Sequence, residues 1–299
     1  MLEAQKTNGA KPQYTFNLQV NRFDKEVIEA FKDVTSARKA RDRIIRQLHA
    51  GHYNNRLLPR LYGLRELPDA VGKKAAMNVI DFHFEPLVLR TYQPNQRERY
   101  FQDLAKTLKM EPLTGVEAGN PLWIDTVHHA CGFTIIYDLA AILARHYGYR
   151  KLIVLHPGKK PYQQVMIVGK QLMQMFSMML TPLPLQENWL SALTRILTPD
   201  TAIICFVDVP QDNSGTDTAI DKSFIQLDAP ADMSMKIEDM TGSATAARRL
   251  GATHMALEYP SSNIARIRAF DAATPVITCP LEDWILWPQL KIQPAARNG

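Results

Sequence analysis

The stretch Trp123-Ile124-Asp125-Thr126-Val127-His128-His129-Ala130-Cys131-Gly132-Phe133 decides how this chain is read. Its first half is a short apolar strand, and its second half opens a long amphipathic helix. The histidine pair falls at the junction. Open α/β sheets place their chemistry at such points, beyond the carboxyl ends of parallel strands. A neutral imidazole there can accept a proton near pH 7.

Working outward, apolar runs alternate with helical patterns on the carboxyl side of Pro121. Strands are expected at Leu122 to Val127, Lys151 to His156, Ala202 to Val209, Phe224 to Leu227, His254 to Glu258, Ile264 to Ala269 and Val276 to Cys279. Helices are expected at Phe133 to Tyr147, Gln163 to Leu180, Glu187 to Leu197 and Ser243 to Leu250. This alternation implies crossover connections, hence an α/β fold with a mostly parallel central sheet flanked by helices. On the amino side the pattern is helical and basic. Val27, Ile28, Phe31, Ile44, Ile45 and Leu48 share one periodicity from Lys25 to His49, and Tyr100, Leu104 and Leu108 share another from Asn95 to Met110. Ala75 to Arg90 reads either way, since Ile80, Phe82 and Phe84 alternate as on a strand. Residues 1–115 are therefore expected to form a basic helical cap packed on a core of residues 116–299, the two making one structural unit.

Totals exclude several classes. Three cysteines (Cys131, Cys205, Cys279) without a C-x-x-C spacing fit neither a disulfide framework nor a structural zinc site, and no metal is expected. Met1 to Gln13 lacks the apolar segment of a signal peptide. The longest apolar stretch, Val165 to Leu185, is interrupted by Gly169, Lys170, Gln171 and Gln174 and ends in Pro182 and Pro184, so membrane contact would come from the surface. Between Arg38 and Arg60 lie Arg38, Lys39, Arg41, Arg43, Arg46, Arg56 and Arg60 against the single acid Asp42. That patch suits an anionic partner, or it is a solvated helix face. Nucleic acid is not expected, because no reading motif accompanies the arginines.

Three features carry candidate chemistry. The first is His128 and His129, where a base needs a carboxylate to fix its tautomer. Asp125 could serve if the backbone curls helically; Asp138, ten residues past His128, lies almost opposite on a helix. The second is Ala202 to Asp212, a buried strand ending in Asp208 and Pro210, where the acid either reaches a neighbouring strand end or caps its own loop. The third is Met240 to Ala252, whose small residues open a helix that Thr241 or Ser243 could cap. That helix start could hold an anion, but tight packing on a sheet explains the small residues as well. Cys131 invites a thiol-nucleophile reading, and the methionines of 166–179 suggest either packing or a groove for an acyl chain.

In this order the three features resemble the lipid A (lauroyl/myristoyl-type) acyltransferases of the lysophospholipid acyltransferase superfamily. The resemblance covers roughly residues 120–260 and rests on Val127 to Gly132, Val207-Asp208-Val209-Pro210, Thr241 to His254, and His156-Pro157-Gly158 in place of Asn-Pro-Gly. It implies a peripheral enzyme on the cytoplasmic face of the bacterial inner membrane. The donor would be an acyl or aminoacyl thioester on an acidic acyl or peptidyl carrier protein, with no other cofactor. The acceptor would be lipid A or a lysophospholipid at an anionic membrane surface. His128 or His129 would be the base, Asp125 or Asp208 its carboxylate, and Gly132 the backbone oxyanion donor. Arg38, Arg41, Arg43 and Arg46 would meet lipid phosphates or carrier acids.

The chain departs from the family's H-x-x-x-x-D/E signature. Counting on from His128 and His129 reaches Phe133 and Thr134, neither an acid. The lipid A glycyltransferase offshoot of the superfamily also lacks that signature, and this chain is similar to it in that respect. Alternatives are a catalytically silent relative that binds lipid or carrier, and a thiol hydrolase built on Cys131. The transfer reading requires one imidazole to be neutral and reachable; both rings walled off from solvent and from any cavity would remove it.

Overall fold

The computed structural model describes residues 14–16, 22–52, 69–156, 161, 163–185, 187–208, 223–229, 233–239, 242–271, 276–286 and 290–292. Their centre is a seven-stranded sheet. In spatial order it runs β2 (Lys109–Met110), β10 (Ile264–Ala269), β9 (Thr253–Ser261), β3 (Leu122–Thr126), β6 (Thr201–Phe206), β4 (Lys151–His156) and β5 (Met179–Pro184). Every neighbouring pair is parallel except β9 with β10, a hairpin that turns at Ser262 and Asn263. Strands β3 and β6 are buried on both faces, which is why they read as unbroken apolar runs rather than alternating ones. From β3 the chain winds toward β5 and returns to β6. It then crosses β3 to reach β9. The winding sense thus reverses around β3 and β6, where α/β sheets open a crevice between diverging loops.

A second sheet follows β6: β7 (Ser223–Ala229) pairs with β8 (Met233–Asp239) and with β11 (Val276–Pro280). β1 (Tyr14–Phe16) pairs with β12 (Leu290–Ile292). Helices α5 (Gly132–His146), α6 (Gln163–Phe176), α7 (Trp189–Ile196) and α8 (Ser243–Arg249) cover the large sheet. Four more, α1 (Arg22–Ala30), α2 (Val34–His49), α3 (Asp69–Leu89) and α4 (Pro94–Thr107), form the amino-terminal part.

That part shares the core. Phe101 stacks on Tyr137 of α5 at 4.4 Å, Phe82 meets Phe133, and Gln164 of α6 donates to the Phe82 carbonyl at 2.7 Å. One hydrophobic cluster runs from Phe23 through Val79 to Trp123 and Leu286.

Two elements depart from the sequence reading, and one ambiguity is resolved. Lys25 to His49 is two helices, because the Asp33 carboxylate accepts from the Thr35 and Ser36 amides and starts α2 afresh. α6 stops at Phe176 instead of Leu180. Ser177 takes a positive φ of 52°, and Met179 to Pro184 becomes an edge strand. The ambiguous Ala75 to Arg90 is helical. α3 touches α1, α2, α6 and the turn Leu281–Asp283, so its apolar side chains are spread beyond a single stripe, with Lys74, Asn78, Asp81 and Glu85 at helical spacing between them.

Candidate functional site

Register creates the site. In the parallel pairing of β3 and β6, Thr126 lies opposite Phe206, and the Val207 amide still donates to the Thr126 carbonyl at 2.9 Å. Two residues further on, His128 stands beside Asp208. Asp208 Oδ1 is 2.7 Å from His128 Nδ1, and Oδ2 accepts from the His128 amide at 2.7 Å and the Trp284 indole at 2.8 Å. A carboxylate is acceptor-only, so Nδ1 carries a proton and donates it, and in the neutral ring the lone pair is then on Nε2. The ring stacks on Phe206 at 4.1 Å. The result is a buried imidazole–carboxylate pair built across two strands.

Asp125 does not serve His128. The chain stays extended through Thr126, so Asp125 projects to the same face as Trp123, where Oδ1 accepts from the Trp123 indole at 2.8 Å. Oδ2 accepts from Ser243 Oγ at 2.7 Å and lies 2.8 Å from His254 Nε2, with His254 stacked on Phe270. Asp125 therefore ties α8 and β9 to β3. This also corrects the reading of Ser243 as a cap. α8 begins after Gly242 (φ 65°) with no side-chain cap, and Ala246 and Ala247 pack it closely on the sheet. Thr241, Pro157, Gly158, Arg56 and Arg60 lie outside the described residues.

His129 has its own partners in the turn. Its Nδ1 lone pair already accepts from the Cys131 amide at 3.1 Å, and its ring stacks on Tyr259 at 4.1 Å. Nε2 therefore bears the proton and faces Asp283 Oδ2 at 3.9 Å, beyond hydrogen-bond range. Burial pulls its pKa down to about 4, Asp283 opposing, so the ring is neutral at pH 7.

Gly132 is likewise reassigned. Its amide donates to the His129 carbonyl at 2.8 Å, while the Ala130 amide donates to the Asp283 carbonyl at 2.7 Å and the Cys131 amide to His129. All three amides of the turn are engaged, leaving no oxyanion donor among them. Asp138 projects elsewhere, lining a small cavity with Cys131, Thr134 and Met110. Burial pushes the Cys131 thiol up to about 12, with Glu85, Asp283 and Asp81 adding to it, which removes the thiolate a nucleophile needs.

A strap unseen in the sequence closes the crevice. After β11 the turn Leu281–Asp283 leads to Trp284, which bridges His129, and the Ile285 amide donates to the His128 carbonyl at 2.9 Å. Asn78 of α3 holds the strap through the Glu282 carbonyl and Asp283 Oδ1, and Lys74 pairs with Glu282 and Asp283. Both imidazoles are consequently only 2% exposed. Nearby, Tyr100 donates to Glu85 at 2.8 Å, and burial raises that carboxyl to about 7.

Of the basic candidates, Arg38, Arg43 and Arg46 are exposed along α2. Arg41 turns inward, paired with Asp81 at 2.7 Å and lying over Phe84. The fold and site together define an α/β protein with a histidine–aspartate dyad at a strand switch point. Compared with protein-family models and with curated proteins, the chain matches none. Among the described residues, no helix is long and apolar enough to cross a membrane.

Proposed function

We propose that this protein transfers an acyl or aminoacyl group, such as glycyl, from a carrier-protein thioester to a hydroxyl of lipid A or a related lipid at a membrane surface. The observation that carries this reading is the His128–Asp208 dyad at the ends of β3 and β6. Nε2 of His128 removes the acceptor proton as the hydroxyl oxygen attacks the thioester carbonyl. The tetrahedral intermediate collapses with cleavage of the C–S bond, and the carrier sulfur leaves with the proton from Nε2. An ester and a free carrier thiol result. Base assistance of this kind contributes about 10²–10⁴-fold.

The strap must part for this to happen, because the indole of Trp284 sits on Asp208 and the ring of His128 is buried. That burial also favours a second reading, a catalytically silent relative that binds lipid or carrier and keeps the dyad as a polar core element. Purified protein incubated with fatty-acyl and glycyl carrier thioesters plus lipid A separates the two. Turnover that falls at least about a hundredfold in His128→Gln, with His129→Gln active, supports the transferase. Carrier or lipid capture without product from any donor supports the silent relative.

A further inference from the structure

We infer that the outer face of α6, together with the edge strand β5, is the surface by which this protein docks on an anionic lipid bilayer. Met166, Lys170 and Met173 follow one another at helical spacing along α6, so their side chains share one face. With Met179 and Leu180 of β5 they line an open groove of about 360 Å³. Its floor exists because Gly169 has no side chain: a Cβ there would stand 3.1 Å from that of Leu180. Met166, Met173 and Met179 are each nearly half exposed among the described residues, a cost in water.

The chemistry of the rim selects the occupant. Gln163 to Pro184 contains no acid. Lys170 lines the groove. At the carboxyl end of α6, Arg145 lies over the Phe176 ring at 4.6 Å and Arg150 donates to the Phe176 carbonyl at 3.3 Å, both arginines being exposed. Flexible apolar side chains bordered by cations match the headgroup–acyl boundary of an anionic leaflet. Pairing with another protein strand is disfavoured, since Pro182 and Pro184 lack amide donors on the outer edge of β5. β5 is two strands from β6, so docking here holds the dyad about 10 Å from that edge. The proposal rests on the lipid-acceptor reading above for its biological sense, but its assay needs no turnover.

Co-sedimentation with vesicles of phosphatidylethanolamine and phosphatidylglycerol, against phosphatidylcholine alone, tests it. The wild type is expected to bind the anionic vesicles and to release them as salt rises. Lys170→Glu should lower that partitioning at least about fivefold, the contribution of one basic residue near such a surface. The double variant Met166→Asp, Met173→Asp should lower it at least about tenfold. All three positions are exposed, and far-ultraviolet circular dichroism verifies the fold of each variant. Unchanged binding by these variants overturns the proposal, as does absence of wild-type binding. So does loss confined to Arg38→Glu, Arg43→Glu, Arg46→Glu, which moves the contact to α2. A dimer that the methionine double variant converts to monomer also overturns it, assigning the groove to a second copy. Vesicle binding without transfer activity would leave this inference standing and sink only the catalytic one.

Discussion

Replacing Asp208 by alanine removes three donors' partner at once: the His128 amide, the His128 ring and the Trp284 indole. A hydrogen bond to a charged group contributes about 1.5–3 kcal/mol, so simple addition gives about 4.5–9 kcal/mol. The three share one carboxylate and are not independent, and removal of one partner from a buried charged pair costs about 3–5 kcal/mol in practice. We therefore expect Asp208→Ala to lose about 3–5 kcal/mol in urea unfolding. Asp208→Asn should lose less, because its amide oxygen still accepts, but its NH₂ must face either a donor or Nδ1. In the latter case it drives His128 into the Nε2–H tautomer, which has no lone pair for a substrate. Nitrogen-15 chemical shifts of the His128 ring report this directly: Nδ1–H in the wild type, Nε2–H in Asp208→Asn. A stability loss under about 1 kcal/mol in Asp208→Ala, or an Nε2–H tautomer in the wild type, would refute the reasoning.

Asp125→Ala should also cost about 3–5 kcal/mol, since it strands Trp123, Ser243 and His254, yet leave the His128 ring shifts unmoved; a changed tautomer would show that the two carboxylates are one network. Glu85 gives a pH signature. Its carboxyl ionises near 4.5 in the unfolded chain and near 7 when folded, so between those values only the unfolded chain releases the proton. Stability then falls with rising pH by up to about 3 kcal/mol and levels off above pH 7. Glu85→Gln should abolish that slope in urea titrations at pH 5 and pH 8, and an identical slope would contradict the assignment. Cys131, its thiol near 12, should react with a thiol probe at pH 7 about a thousandfold more slowly than an ordinary cysteine. Rapid labelling of that residue would restore the thiol-nucleophile reading.

The sheet was legible because its central strands are buried on both faces and carry little but apolar residues between turn signals. Lys151–His156 was bounded correctly for that reason, and Ile264–Ala269 by its alternation, with Arg266 exposed between buried Ala265 and Ile267. The edge strand Met179–Pro184 was not. It continues the apolar content of α6, and only the turn at Ser177 separates them, a residue type that does not announce a positive φ. Both dyad members could be named from their places at strand ends. Their pairing could not, because the choice between Asp125 and Asp208 depends on register: an extended Thr126 sends Asp125 to the opposite face, and β6 lying next to β3 puts Asp208 within reach. Strand order is a long-range property that spacing does not encode. The strap is the extreme case. Leu281-Glu282-Asp283-Trp284 has no motif, yet Trp284 and Asp283 decide whether either imidazole meets solvent. The contacts of His129 and Gly132 were hidden for a local reason, since one tight turn engages the Nδ1 lone pair of the first and the amide of the second.

In the proposed reaction His128, oriented by Asp208, moves a group onto a lipid hydroxyl. Mass spectrometry of lipids from cells expressing the wild-type chain, His128→Gln or no chain tests it most directly. A lipid A species heavier by one acyl or glycyl group is expected only with the wild type. The same lipid masses in all three, or a modified species that persists in His128→Gln, would contradict it.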